Sequence, residues 1–183
     1  MIFLILAAVA AGISADYFLN RYFRPQHYPL MACVSVAACL ILQAFVHDAT
    51  LRIKGLIFTE LMLLTGYIDA KTHEIPDILP ALIFAVGFIE LEPAKAISGF
   101  FAVSLPFYIM ARITDGKAVG GGDIKYIAAA GFVLEFPGIV GGTLLGIAAF
   151  LIAYPALRRE KKQYYAMAPW LGIGCFFAYL LIP

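Results

Sequence analysis

The chain has 183 residues, 63% of them apolar, and a mean hydropathy of +0.90, whereas soluble domains average roughly 45–50% apolar residues. Charged residues make up 14%, and 13 Lys and Arg against 12 Asp and Glu leave a net charge of +1. This balance excludes a conventional soluble fold, a basic nucleic-acid surface and a disordered tail. The surplus of apolar residues predicts one membrane-embedded domain over residues 1–183, with the lipid bilayer as its partner.

Charge-poor stretches along the chain predict membrane-spanning helices. They cover residues 2–19, 28–46, 55–69, 78–91, 96–111, 124–136, 138–157 and 164–182. Since about 20 helical residues cross a hydrocarbon core of about 30 Å, we expect an all-α, polytopic bundle of six to eight transmembrane helices, most simply eight. The apolar stretches at 78–89 and 126–134 are too short to cross alone, which predicts a water-filled cavity beside them.

The basic residues predict an orientation for this bundle. Alternating the loops between the two membrane faces leaves only Arg52, Lys54 and Lys95 on one face. The other face receives Arg21, Arg24, Lys71, Arg112, Lys117, Lys125, Arg158, Arg159, Lys161 and Lys162. Because basic loops are retained in the cytoplasm, we expect this second face to be cytoplasmic and both termini to lie outside. The first span has no basic segment before it and only a poor cleavage site, so we expect it to remain as a helix.

Cysteine and histidine give no sign of a metal centre. Cys33, Cys39 and Cys175 all lie in apolar stretches without a CxxC pair, which is typical of small buried side chains. The three histidines are scattered singly. We therefore expect neither a metal nor a redox dithiol.

The first acidic loop, residues 66–77, follows the third span. Asp69 closes an apolar helix, and Pro76 stops helical continuation. Asp77 is well placed to cap the next helix with its side chain. Taken alone, Asp69 reads most simply as an interfacial carboxylate at the end of a span.

The second acidic loop, residues 114–126, holds three consecutive glycines before an acid. Gly120, Gly121 and Gly122 allow positive φ and close approach of another extended chain, and Asp123 begins the next helix. A purely structural interpretation makes Asp123 the N-cap, worth about 1 kcal/mol. A phosphate-binding loop is disfavoured because no GxxxxGK[ST] pattern is present and a carboxylate there repels phosphate.

The two loops together predict more than either alone. Both aspartates lie at predicted cytoplasmic helix ends, and the two intervening helices allow Asp69 and Asp123 to face each other. Two carboxyl groups in one low-dielectric cavity share a proton. The ionised member then activates a water as general base while the protonated member polarises a peptide carbonyl. Glu60 lies about half a turn out of phase with Asp69 and is not expected to join them.

These residues resemble the type IV prepilin peptidases, membrane aspartic proteases of the GxGD class. The resemblance covers roughly residues 55–180 and rests on the motifs Gly-Tyr-Ile-Asp69, Ile75-Pro76, Gly120-Gly121-Gly122-Asp123-Ile124-Lys125, Ala128-Ala129-Ala130-Gly131 and Ala168-Pro169-Trp170-Leu171. The chain departs from the family pattern at Asp77, where Asn is more common, and has no cysteine-rich cytoplasmic segment.

The resemblance implies a peptidase of the bacterial inner membrane that removes the leader of prepilins or pseudopilins at the cytoplasmic face. Asp69 and Asp123 would be the catalytic pair, and Gly120, Gly121 and Gly122 would form the substrate-facing backbone. No metal or organic cofactor is implied. Because the cysteine-rich segment is missing, we expect peptidase activity without N-methylation of the new terminus.

Three interpretations of Lys125 and two other functions stay open at this point. Lys125 attracts an acidic residue of the mature prepilin, interacts with Asp123, or extends to the lipid headgroups. A proton- or ion-coupled transporter would use Asp69, Asp123 and Glu60 as relay acids, although relay acids belong near mid-span and no inverted repeat is present. A non-catalytic assembly protein would tolerate Asn at either aspartate.

Overall fold

The computed structural model describes residues 2–23, 30–116, 119–157 and 165–181, and the regular structure within these ranges is α-helical. The helices of the described residues are α1 (Ile2–Tyr22), α2 (Leu30–Phe45), α3 (Ala49–Thr72), α4 (Ile78–Val86), α5 (Pro93–Ile113), α6 (Gly121–Leu134), α7 (Gly138–Leu157) and α8 (Ala168–Leu180). Each of the eight predicted spans corresponds to one of them, which confirms the all-α bundle.

The outer surface of the bundle is apolar. Within the described residues, α1, α5 and α7 each contain a stretch long and apolar enough to cross a membrane. Their outward side chains include Phe3, Ile113 and Ile152, which are 82%, 77% and 81% exposed. A surface of such side chains is unfavourable in water and favourable in lipid. The protein is therefore a helical membrane bundle.

The sixth helix is the centre of the bundle. All residues over 126–134 are buried, and α6 contacts α4, α5, α7 and α8. It has 14 residues and α4 has only nine, so neither reaches across a bilayer by itself. The expectation of two short helices is confirmed, and protein rather than lipid surrounds α6.

Glycines allow the inner helices to approach each other closely. A Cβ at Gly99 of α5 would collide with the carbonyl oxygen of Gly131 of α6, and a Cβ at Gly131 would collide with the Gly99 carbonyl. Gly174 of α8 meets the backbone of Gly142 and Gly146 of α7 in the same way. Small residues let helix backbones pack tightly in membranes, where burial from water contributes little.

The predicted position of Lys54 needs correction, and several of the basic residues used to predict the orientation lie outside the described residues. The sequence predicts Lys54 in a loop, but α3 begins earlier because the Asp48 side chain accepts hydrogen bonds from the N–H groups of Thr50 and Leu51. Lys54 is consequently inside the helix and only 4% exposed. Six of the basic residues used for orientation lie outside the described residues: Arg24, Lys117, Arg158, Arg159, Lys161 and Lys162.

The contact between α5 and α6 predicts that alanine substitutions at two glycines differ in their effect on protein stability. We expect Gly99→Ala to destabilise the protein by about 1–3 kcal/mol, because the added methyl group forces two helix backbones apart. Gly141 of α7 is the matched control, since a Cβ there meets nothing within 4 Å. Gly141→Ala should unfold no earlier than the wild type on heating in detergent. Equal melting temperatures for the two variants would contradict this packing.

Candidate active site

Asp69 lies in the last turn of α3 and is 6% exposed. Its Oδ2 accepts a 3.0 Å hydrogen bond from the N–H of Ala168, the first residue of α8, and the Met167 N–H also interacts with this carboxylate. The first N–H groups of a helix lack partners within the helix and carry partial positive charge. Met167, at the N-cap position, makes no side-chain capping bond. Asp69 therefore caps α8 from a different helix.

The chain turns sharply away from α3 directly after Asp69. His73 adopts a left-handed conformation with φ of 56°, and its N–H donates a 2.8 Å hydrogen bond to the carbonyl oxygen of Asp69. The Thr72 hydroxyl accepts a hydrogen bond from the Glu74 N–H. This turn places His73 and Glu74 at the edge of the same cavity as Asp69.

Asp123 is the third residue of α6, so the purely structural interpretation of it as the N-cap is wrong. Gly120 occupies that position in an extended conformation, and the Asp123 carboxylate reaches back to the Gly120 N–H. This is the return half of a capping box, made with Asp in place of Glu. The second oxygen, Oδ1, is buried and has no hydrogen-bond partner among the described residues.

The structure brings Asp69 and Asp123 together around one cavity of about 340 Å³. The two carboxylates interact electrostatically. The residues lining this cavity are Asp69, His73, Glu74, Ile75, Asp77, Gly120, Gly121, Gly122 and Asp123. A polar cavity of this size has room for several water molecules.

The three glycines form one wall of this cavity but differ in their surroundings. A Cβ at Gly121 would meet nothing within 4 Å, whereas a Cβ at Gly122 would lie 3.1 Å from Cβ of Ile75. At Gly120 the nearest atom would be Oδ2 of Asp123, at 3.3 Å. The open backbone is thus at Gly120 and Gly121, whereas a side chain at Gly122 would be crowded where α6 meets the first acidic loop.

Lys125 makes an ion pair that the sequence did not predict. Its Nζ lies 2.7 Å from Oδ1 of Asp77, and both side chains are more than half exposed. Asp77 stands at the N-cap position of α4 but makes no side-chain capping bond, which corrects the expected role of that residue. The pair links the loop after α3 to the second turn of α6. An exposed pair of this kind contributes about 1 kcal/mol or less to stability.

Glu60 is separate from this site. Its Oε2 accepts a 2.8 Å hydrogen bond from the Ser35 hydroxyl of α2, and Glu60 does not line the cavity that holds the two aspartates. Within the described residues there is no group of three or more His, Cys, Asp or Glu side chains that could hold a metal ion.

The cap predicts that two replacements of Asp69 differ in their effect on stability. Asp69→Ala removes the acceptor for the first N–H groups of α8 and should lower the free energy of unfolding by about 1–2 kcal/mol. Asp69→Asn retains a side-chain oxygen and should be close to the wild type. Thermal unfolding in detergent measures the difference. If Asp69→Ala and Asp69→Asn had the same melting temperature, the Ala168 contact would contribute nothing to the stability of the fold.

A model of the type IV leader peptidase family matches residues 56–157, which is more than half of the chain. This stretch contains both aspartates, the glycines and Lys125. No solved structure matches the chain.

Curated relatives agree with that match. The chain is 33% identical to the prepilin leader peptidase/N-methyltransferase of Bacillus subtilis (strain 168), over 84% of this chain and 65% of that protein. It is 25% identical to the protein of the same name from Dickeya chrysanthemi, over 80% of this chain and 57% of that protein. For the Escherichia coli (strain K12) protein of that name the identity is 26% over 91% of both chains. The chain therefore spans less than two thirds of the Bacillus and Dickeya proteins, and it belongs to the type IV leader peptidase family.

Proposed function

We propose that the protein cleaves the N-terminal leader peptide from type IV prepilins or prepilin-like proteins, with Asp69 and Asp123 as its catalytic residues. The observation that carries this proposal is the cavity that both carboxylates line, at a place where two polar loops meet at one end of the bundle. Family membership supports the choice of substrate. Binding sites of several hundred Å³ with a few convergent polar groups are typical of enzymes.

The hydrogen bonds of the two aspartates support different roles for their oxygen atoms. Oδ2 of Asp69 is engaged with the Ala168 N–H, which fixes the orientation of that carboxyl group. Oδ1 of Asp123 is buried without a partner among the described residues. A buried acceptor in this state is costly unless something satisfies it, and a water molecule or a substrate N–H is suited to do so.

The proposed reaction is hydrolysis of one peptide bond by the pair acting as a unit. The ionised carboxylate accepts a proton from a water molecule while the water oxygen attacks the carbonyl carbon. The protonated carboxyl group stabilises the developing oxyanion by donating its hydrogen. The carbon–nitrogen bond then breaks, and the leaving nitrogen takes up a proton from the pair. No cofactor takes part in these steps.

The substrate chain is proposed to run along the glycine wall of the cavity. Gly120 and Gly121 expose backbone on which an extended leader can pack, and Gly122 keeps that wall next to Ile75. Lys125 is the basic residue of α6, and it forms an ion pair with Asp77. We propose that this lysine releases Asp77 and binds an acidic group of the substrate in its place.

The proposal places the protein in the bacterial inner membrane with the cavity facing the cytoplasm. The orientation comes from the distribution of basic residues, since such residues are retained on the cytoplasmic side. The names of the relatives also include an N-methyltransferase, and the activity proposed for this chain is leader cleavage.

Conservative replacement of each aspartate tests the mechanism. Asp69→Asn and Asp123→Asn should each lower the rate of prepilin cleavage by at least about 10³-fold, because an amide can neither accept the proton from water nor replace the shared one. The measurement is cleavage of a prepilin with its leader by purified protein in detergent.

Asp16 provides the matched control for this experiment. It accepts hydrogen bonds of 3.1 Å and 3.0 Å from the N–H groups of Met31 and Ala32, and so caps α2 as Asp69 caps α8. Asp16→Asn should cleave at the wild-type rate. Glu60→Gln should also cleave at the wild-type rate, whereas a transporter that relays protons through Glu60 would not cleave the prepilin at all. Full cleavage by either the Asp69 or the Asp123 variant would rule out the two-aspartate mechanism.

The glycine wall predicts a variant that changes binding without changing the fold. Because a Cβ at Gly121 meets nothing within 4 Å, Gly121→Leu should fold normally and project its side chain into the space proposed for the leader. We expect KM for the prepilin to rise about tenfold or more, by loss of roughly 1.4 kcal/mol of binding energy. Steady-state kinetics measures the KM, and thermal unfolding should show that the stability of the variant is unchanged. An unchanged KM would place the leader elsewhere.

A further inference from the structure

Tyr126 is a fully buried phenol that lies three residues after Asp123 on α6. Its hydroxyl donates a 3.3 Å hydrogen bond to the carbonyl oxygen of Ala168. The N–H of the same Ala168 donates to Oδ2 of Asp69 at 3.0 Å. Ala168 is therefore held from two sides, by α6 through its carbonyl group and by α3 through its N–H.

The surroundings of Tyr126 single out its hydroxyl. A Cβ at Gly172, one turn after Ala168 in α8, would come within 3.1 Å of the hydroxyl oxygen, so the glycine leaves the space that this oxygen occupies. Cys175, Asp69 and Asp123 all lie near this phenol. Phenylalanine would fill the same volume without bringing a polar atom into the core. Core packing alone does not account for this hydroxyl.

We propose, on the basis of the proposed function, that Tyr126 is a positioning residue whose hydroxyl fixes the Ala168 backbone and thereby sets Asp69 relative to Asp123. Asp123 and Tyr126 share the first turns of a short, buried helix, so they move as one body. The path from Asp123 through Tyr126 and Ala168 to Asp69 consists of one helix segment and two hydrogen bonds. A displacement of about 1 Å between catalytic groups costs up to about 10²-fold in rate.

Tyr179 is a matched control on α8, the helix that Tyr126 contacts. It is 2% exposed, and its hydroxyl donates a 2.7 Å hydrogen bond to the carbonyl oxygen of Leu51. This bond ties the last turn of α8 to the first turn of α3, at the opposite end from the aspartates. Tyr126→Phe and Tyr179→Phe each delete one bond from a buried phenol to a backbone carbonyl, but only the first bond is connected to Asp69.

The experiment compares the two variants in the full chain, purified in detergent. Steady-state cleavage of a prepilin should show kcat lowered about tenfold by Tyr126→Phe, with KM changed less than twofold. Hydrogen exchange of the peptide segment 165–172 should become faster in the same variant, because Ala168 loses one of its two anchors. Tyr179→Phe should match the wild type in kcat and in exchange over that segment.

The outcomes separate this inference from the proposed function. A wild-type protein that leaves prepilin uncut contradicts the proposed function, while the exchange measurement still reports on the Ala168 anchor. An active wild type with equal kcat in both variants, or with equal exchange over residues 165–172, overturns the positioning role. Gly172→Ala is a second variant that crowds the hydroxyl without removing it. It should also lower kcat with little change in KM, and wild-type kinetics there would count against the inference.

Discussion

The hydrogen bond between the Asp69 carboxylate and the Ala168 N–H is the contact on which the candidate site depends. A buried carboxylate is unfavourable without donors, and the start of a helix inside a protein is unfavourable without acceptors. Joining the two removes both costs and ties α3 to α8. Asp16 and the start of α2 solve the same problem in the same way. The bundle thus uses aspartates of one helix to begin another, and only at Asp69 does the carboxylate also line the cavity with a second acid.

The position of the second acid follows from how α6 is enclosed. Protein surrounds this helix over residues 126–134, and the contact of Gly131 with Gly99 brings its backbone against α5. An element packed on all sides has little freedom to rotate or slide. Asp123, in the first turn, is therefore placed by the packing of the whole helix. Precise placement of catalytic groups is best achieved on such rigid elements.

Hydropathy and helix-breaking residues were sufficient to predict the helices, because a membrane bundle must show long apolar stretches to the lipid. They also predicted that α4 and α6 are short. They predicted further that Asp69 ends one helix and Asp123 begins another on the same side of the membrane. The partners of these acids could not be predicted in this way. The Ala168 N–H is a backbone group, which carries no residue signature, and Asp77 pairs with Lys125 across 48 positions of sequence. Lys54 was misplaced because its charge suggested a loop, whereas the cap at Asp48 extends α3 beyond it.

The last helix lies beyond residue 157, where the family match ends. A fragment cut there would retain both acids and the glycine-rich turn, yet Asp69 would lose the backbone group that orients it. The two acids are therefore not an autonomous unit. Any transplant of this centre into another scaffold has to carry α8 along with it, or supply a different donor at the same point.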